Sequence, residues 1–320
     1  MKKFLTLTCV LLATLLSPAA FAKYPEKPIR LVVPYPAGGT TDLLARLVAR
    51  NMSVTLGQQV IVDNKAGAAT IVGVDAVAKA ANDGYTILLS TATSFVVNPH
   101  IYKKLPYQLD EFLHIGFMAE APIVLVSPPS FAPRNITELV AFLRANKDEI
   151  PVATTGKGGF SHLTAAMFFN AIGAKFRDVP YKGEAPAIQD VLGGQVNLYF
   201  GSLPGTLPHV TSGRFRGYAV TSVARSPSAP NIPSFTEAGV PEVVATSWFG
   251  LAAPKGTPAE AVAVLADALR KAIDDKDVQA RLFQDGAVSR NFKPDEYADY
   301  IKRDFERWGR IVRAAKFEAD

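Results

Sequence analysis

The sequence predicts an α/β protein of two lobes, each built on a largely parallel sheet. Three observations carry that prediction. Short apolar runs of strand length alternate with stretches of helical period along most of the chain. The alternation comes in two successive sets, the second starting near residue 123. The length of 320 residues, at about 150 residues per domain, leaves room for two cores. Composition agrees, since 48% hydrophobic and 20% charged residues exclude wholesale disorder.

The first 22 residues stand apart. Lys2 and Lys3 precede an apolar run over Phe4–Leu16, Ser17-Pro18 breaks it, and Ala20-Phe21-Ala22 fits a small-x-small cleavage pattern. Such a run spans about 20 Å as a helix, short of the roughly 30 Å bilayer core. It reads as a signal peptide, with a mature chain starting at Lys23, rather than as a buried N-terminal helix. Cys9 lies inside it, so the exported chain carries no cysteine and needs no oxidative folding. Losing the two lysines reduces the net charge from +5 to +3, and no Lys/Arg run remains to suggest a nucleic-acid partner.

The exported chain opens with Ile29–Val33, a short buried strand stopped by Pro34 and Pro36. Ala37-Gly38-Gly39 is a turn, and Thr40-Thr41-Asp42 caps a helix with Leu43, Leu44, Leu47 and Val48 on one face. Gln59–Asp63 is a strand, Ile71–Ala81 a helix, and Tyr85–Leu89 a further strand. The second set begins with a strand near Ile123–Val126. Asn135 and Glu138 are spaced as an N-cap and its N3 partner, opening a helix over Ile136–Lys147. Pro151–Thr154 is a strand, Thr155–Ser161 a glycine loop and His162–Ile172 a helix. Phe176–Tyr181, Val196–Phe200 and Arg216–Ser222 read as strands, with a helix over Pro186–Leu192.

Beyond that set, Trp248–Pro254 is an apolar strand, and Thr257-Pro258-x-Glu260 has the form of a capping box with Pro at the first helical position. A last helix from Pro294 puts Tyr297, Ile301, Phe305, Trp308 and Val312 on one stripe, so it docks on the body. Two lobes between which the chain crosses more than once leave a cleft, a usual place for a small ligand.

Enzyme signatures fail one by one. His100, His114, His162 and His209 are widely spaced and no HExxH or CxxC occurs, so neither a metal nor a cofactor is expected. Ser161 and His162 are chain neighbours, which does not make them nucleophile and base, and the flanking sequence lacks the second glycine of a GxSxG elbow. Gly156-Lys157-Gly158-Gly159 lacks both the P-loop ending and the GxGxxG spacing. Two Gly-rich turns remain, 36–41 and 154–161, each between a strand and a helix N-terminus. Backbone N–H groups and the positive end of a helix dipole can hold an anion there, and glycines let it approach. The same residues also suit plain tight turns with Thr and Ser caps.

Ala37-Gly38-Gly39-Thr40-Thr41-Asp42, Gly57-Gln58-Gln59-Val60 and Asp63-Asn64-Lys65-Ala66-Gly67-Ala68 resemble the signature of the Bug family, the extracytoplasmic solute-binding proteins of tripartite tricarboxylate transporters. The likeness continues through Val77–Thr86, Asn98-Pro99, Leu105-Pro106-Tyr107, Ser161-His162-Leu163, Pro180-Tyr181-Lys182-Gly183, Gly193-Gly194-Gln195-Val196 and Ala253–Pro258. It implies a type II periplasmic-binding-protein fold, with one lobe from 23–122 and 248–320 and the other from 123–247. It also implies a monomer that captures a small carboxylate and delivers it to membrane transporter subunits, without itself entering the membrane. Family members typically hold such ligands through backbone amides, neutral polar side chains and bridging waters.

Carried onto this chain, the resemblance puts the first clamp at Ala37, Gly38, Gly39 and Thr40, with Thr41 beside it, and the second at Gly156, Gly158 and Ser161. Thr91, Ser94 and Asn98 would face the cleft from the first lobe, and Tyr181 and Lys182 from the second. Three departures stand out. Gly159 replaces a common Ser or Thr, Ala69-Thr70 replaces a glycine pair, and Gly201-Ser202 stands where an Asp is common, which weakens an amino-acid ligand. Phe160 and Phe200 would give an apolar wall that favours an aromatic or longer aliphatic acid, unless both are core. Asp42 reads as a helix cap, because its charge would repel an anion. Trp248 reads as hinge or core. Rival readings are a ligand sensor feeding a signalling receptor and, from another class, an exported hydrolase using Ser161.

Overall fold

A computed structural model describes residues 24–314, so the signal-peptide reading of residues 1–22 and its cleavage point lie outside the described part. The chain runs β1 (Ile29–Val33), α1 (Thr40–Leu56), β2 (Val60–Asn64), α2 (Ile71–Ala78), β3 (Thr86–Thr91), a π-helical turn (Thr93–Val97) and α3 (Asn98–Ile101). β4 (Phe112–Ser127) follows, then α4 (Ile136–Ala145), β5 (Ile150–Thr154), α5 (Phe160–Ile172), β6 (Phe176–Pro180), α6 (Glu184–Leu192) and β7 (Leu198–Ser202). The remainder is α7 (Leu203–Thr211), β8 (Arg216–Val220), β9 (Thr246–Pro254), α8 (Ala259–Asp274), α9 (Lys276–Gln284) and α10 (Pro294–Ala314).

Strand order is β2-β1-β3-β9-β4-β7-β5-β6, with β8 also on β4. β1 pairs parallel with β2 and β3, and β5 pairs parallel with β6 and β7. The long strand β4 joins the two groups. From Phe112 to Pro122 it pairs antiparallel with β9, and from Ile123 onward with β7 and β8. Two α/β lobes therefore share β4, which changes partners at Pro122–Ile123.

The strands' period of two decides which core each residue enters. Ile29, Leu31 and Val33 meet Leu44, Val48 and Met52 of α1 and Leu265 and Leu269 of α8 on one face. Val32 points to the opposite face, into a core that runs from Val74 and Phe95 to Phe168, Phe169 and Phe200 of the second lobe. Trp308 of α10 belongs to this core and meets the Phe160 ring at 4.7 Å between centroids. Trp248 is fully buried and donates from Nε1 to Asp304 Oδ2 at 2.9 Å.

Besides the π-helical turn, α3 and α9, which no sequence signal marked, three elements differ from the sequence expectation. β4 begins eleven residues before Ile123, across a segment whose alternation His114, Gly116, Glu120 and Pro122 interrupt and whose register shifts twice. The helix α7 was not anticipated, because Pro204, Gly205 and Pro208 read as a loop. At the start of α8 no capping box forms: Pro258 is the N-cap, and the Thr257 hydroxyl donates to Pro254 O at 2.8 Å.

Candidate functional site

Two strand-to-helix turns bring backbone to the cleft. In the first, β1 ends at Val33 and the chain enters α1 at Thr40. Gly38 has φ +86°, a value that a Cβ disfavours, and its N–H donates to Asp42 Oδ2 at 3.0 Å. Asp42 also accepts from Arg46 Nε and Asn64 Nδ2, each at 3.0 Å. Burial pushes the Asp42 carboxyl up, but these hydrogen bonds together hold it below its ordinary value. Asp42 thus ties the turn to α1 and to the end of β2.

The second turn joins β5 to α5. Gly156 and Gly158 have φ +124° and +77°, and the Gly159 N–H donates to Gly156 O at 3.0 Å. A Cβ at position 159 would lie 3.2 Å from that same oxygen, so a larger residue there would need the loop to give by a few tenths of an ångström. His162 packs beneath, its Nδ1 3.2 Å from the Gly158 nitrogen and 3.1 Å from Asp178 Oδ2. Burial holds its pKa down against the pull of Asp178.

Between the turns lies a cavity of about 50 Å³. The first lobe contributes Tyr35, Pro36, Gly39, Thr40, Thr41 and Thr93. The second contributes Ile123, Thr155, Phe160, Ser161, Glu184, Phe200 and Ser202, while Ser247 and Phe249 of β9 complete the wall. A larger cavity of about 430 Å³ shares Tyr35, Pro36 and Thr155 with it and is lined further by Tyr102, Lys157, Tyr181 and Lys182.

Of the residues singled out from sequence, Gly39, Thr40, Thr41 and Ser161 meet at the inner cavity, and Gly156, Tyr181 and Lys182 at the outer one. Ala37, Gly38 and Gly158 line neither. A Cβ on Gly38 would meet only Ala185 Cβ at 3.8 Å, so its backbone angle, not close approach, is what requires glycine. The Ser161 hydroxyl donates to Phe200 O at 2.5 Å, which leaves it only acceptor lone pairs for a ligand and no proton for His162 to take as a base. Tyr181 gives its hydroxyl to Asp190 at 2.7 Å. Phe160 and Phe200 are buried and also line the inner cavity, so they are core and wall at once.

Thr91, Ser94 and Asn98 are buried away from both cavities and serve a different task. Ala68, Ala69 and Thr70 run through three successive positive φ angles, +44°, +46° and +82°, in backbone that residues with a Cβ rarely adopt. Asn98 Nδ2 donates to Ala69 O at 2.8 Å and Ser94 Oγ to Thr70 Oγ1 at 3.0 Å, while Ser94 and Thr91 hydroxyls lie 2.9 Å apart. These three residues hold the strained loop that forms part of the outer cavity.

Sequence reasoning missed Glu184. It is the first residue of α6 and 8% exposed, yet its carboxylate crosses the cleft. Oε2 accepts the Thr40 N–H at 2.7 Å; Oε1 accepts the Ser202 N–H at 3.1 Å and the Tyr199 hydroxyl at 3.3 Å. Burial pushes the Glu184 carboxyl above its ordinary value, and these hydrogen bonds oppose that rise. Alongside, the Gly205 N–H donates to Thr40 Oγ1 at 2.9 Å, a second bridge between the lobes. At position 201, where the resemblance made an Asp common, this chain has glycine. Gly201 itself has no room for a side chain, since a Cβ there would lie 2.3 Å from the Tyr199 ring. The only signal was Pro180-Tyr181-Lys182-Gly183 just before Glu184, and an acid opening a helix ordinarily reads as a dipole complement.

Among the described residues, no group of three or more His, Cys, Asp or Glu could hold a metal ion, and no helix is long and apolar enough to cross a membrane. Residues 44–317 match the tripartite tricarboxylate transporter family receptor. The protein BugT of Bordetella pertussis is 35% identical over 98% of this chain and 97% of its own length. The structure of the periplasmic binding protein BugD superposes with a TM-score of 0.89 at 38% identity, covering 93% of this chain and all of that one. Rpa4515 of R. palustris with adipate gives 0.89 at 30% identity, over 92% and 99% of the two chains. MatC of Rhodopseudomonas palustris with bound malate gives 0.86 at 30% identity, over 90% and 100%.

Proposed function

We propose that this chain, which belongs to the tripartite tricarboxylate transporter receptor family, captures a small carboxylate between its lobes and delivers it to the membrane subunits of such a transporter. It is a periplasmic solute-binding protein of that family with the fold of the Bug proteins. The observation that carries the ligand reading is the inner cavity flanked by the N-termini of α1 and α5, lined by hydroxyls with no lysine or arginine and one acid, Glu184, which already takes the first N–H of α1. Helix N-termini favour an anion without a charged side chain. The adipate and malate held by two similar structures support a carboxylate here.

On this reading the first lobe is 23–122 with 248–320, and the second is 123–247. The partner change of β4 at Pro122–Ile123 and the start of β9 at Thr246 support that division. Export with loss of residues 1–22 brings the chain to its site of action. On this reading the ligand leaves unchanged, and the Ser161 hydroxyl, bonded to Phe200 O, serves the fold.

A thermal-shift screen of mono- and dicarboxylates tests the reading. An acid at a hundred times its dissociation constant adds about 2.7 kcal/mol of stability and raises Tm accordingly. A screen in which no carboxylate shifts Tm would overturn it.

A further inference from the structure

The Glu184 carboxylate is a built-in anion at the wall of the inner cavity. The Thr40 N–H is the first of α1, a seventeen-residue helix, and Ser202 is the N-cap of α7, so two helix N-termini converge on one carboxylate. An ionised carboxylate offers about four lone-pair sites. Here the Thr40 N–H, the Thr40 hydroxyl, the Ser202 N–H and the Tyr199 hydroxyl take them up. All four donors are neutral, so the charge is solvated but not cancelled. With its acceptor sites filled, Glu184 is also closed to an ammonium group of a ligand.

The rest of the cavity sorts the remaining chemistry. Ile123, Phe160, Phe200 and Phe249 make much of the wall apolar. Ser202 Oγ is sealed from solvent with no internal hydrogen-bond partner, and so is open to a polar atom of a ligand. A second ligand carboxylate would crowd the Glu184 carboxylate and find the Thr40 and Ser202 N–H groups there already engaged, the situation in which two carboxylates cannot both stay ionised. The cavity's volume of about 50 Å³ also favours a small ligand.

We propose that Glu184 is the specificity-determining residue of the cleft: it takes the seat that a second ligand carboxylate would need and restricts the ligand to a small monocarboxylate with an apolar body. This rests on the carboxylate-binding reading above and narrows its ligand class. It sets the chain apart from Rpa4515 and MatC, whose structures hold the dicarboxylates adipate and malate.

The test is calorimetric titration of the exported protein with butanoate, 3-methylbutanoate, benzoate, malate and adipate. The best monocarboxylate should bind about tenfold or more tighter than either dicarboxylate. Glu184→Ala, which opens the seat, and Glu184→Gln, which removes the charge at similar size, should each narrow that ratio about tenfold. Circular dichroism checks that the variants are folded; if neither folds, the wild-type ratio alone decides. Malate or adipate binding as tightly as the best monocarboxylate would overturn the assignment of Glu184 and leave the carboxylate reading standing. So would folded variants that keep the wild-type ratio. Binding of none of the five acids would overturn the carboxylate reading, and this inference with it.

Discussion

His114 lies in β4 with Phe95 and Tyr297 edge-on to its ring, at centroid distances of 5.2 and 5.7 Å. Burial pushes its pKa down from 6.5 to about 4. The unfolded chain takes up the proton first, so this residue's contribution is complete above about pH 6.5 and is lost as pH falls through about 4. A gap of that size corresponds to about 3 kcal/mol, and denaturant titrations between pH 7 and 4 should show a decline of that order. His114→Leu should flatten the decline, and an unchanged slope in that variant would place its origin elsewhere. The same scale shows what a sequence withholds. Asp42 and Glu184 both stand in the first turn of a helix after a glycine turn, yet Asp42 folds back onto its own loop while Glu184 reaches Thr40, 144 residues away. Both are acids in a first helical turn, Asp42 third in α1 and Glu184 first in α6, and nothing local says which partner each will reach.

Among elements, those with a clear local period read well. β1 has the expected bounds, and α4 opens where Asn135 was expected to cap it, the Glu138 N–H reaching Asn135 Oδ1 at 2.9 Å. α7 did not read, because its prolines mimic a loop, and its position depends on Glu184 and Thr40 beside it. The turn into α6 carries a sharp steric demand across the cleft. Gly183 has φ +122°, and a Cβ there would lie 2.8 Å from Cδ of Pro36 in the opposite turn. Gly183→Ala should therefore prop the lobes apart and weaken binding of the best monocarboxylate about tenfold. Titration of the folded variant checks this, and wild-type affinity would show that the two turns need not close so far.

The whole molecule is arranged so that a small site can command a large motion. β4 and β9 run between the lobes side by side, while Thr40 with Glu184 and Gly205 with Thr40 bridge them at the cleft. Hinge closure about a few crossing residues is the usual consequence of such an arrangement. Small-angle scattering should show a smaller radius of gyration when a stabilising monocarboxylate is added. If the profile at saturation matches that of the free protein, Glu184 and its bridges hold the lobes closed without a ligand.

The sequence by itself determined the α/β class, most of the strands and helices, the two glycine turns and the family. Each of these depends on residues within a few positions of one another, where hydrophobic period, caps and glycine angles act. The tertiary structure alone decided what faces the cleft. Ser161 turns its proton to Phe200 O, Asn98 holds a strained loop instead of a ligand, and Glu184 becomes part of the wall. Those outcomes depend on which donors from distant segments reach a polar atom first. A buried hydroxyl or carboxylate bonds whatever the packed lobes bring within about 3 Å, and no local pattern encodes that choice.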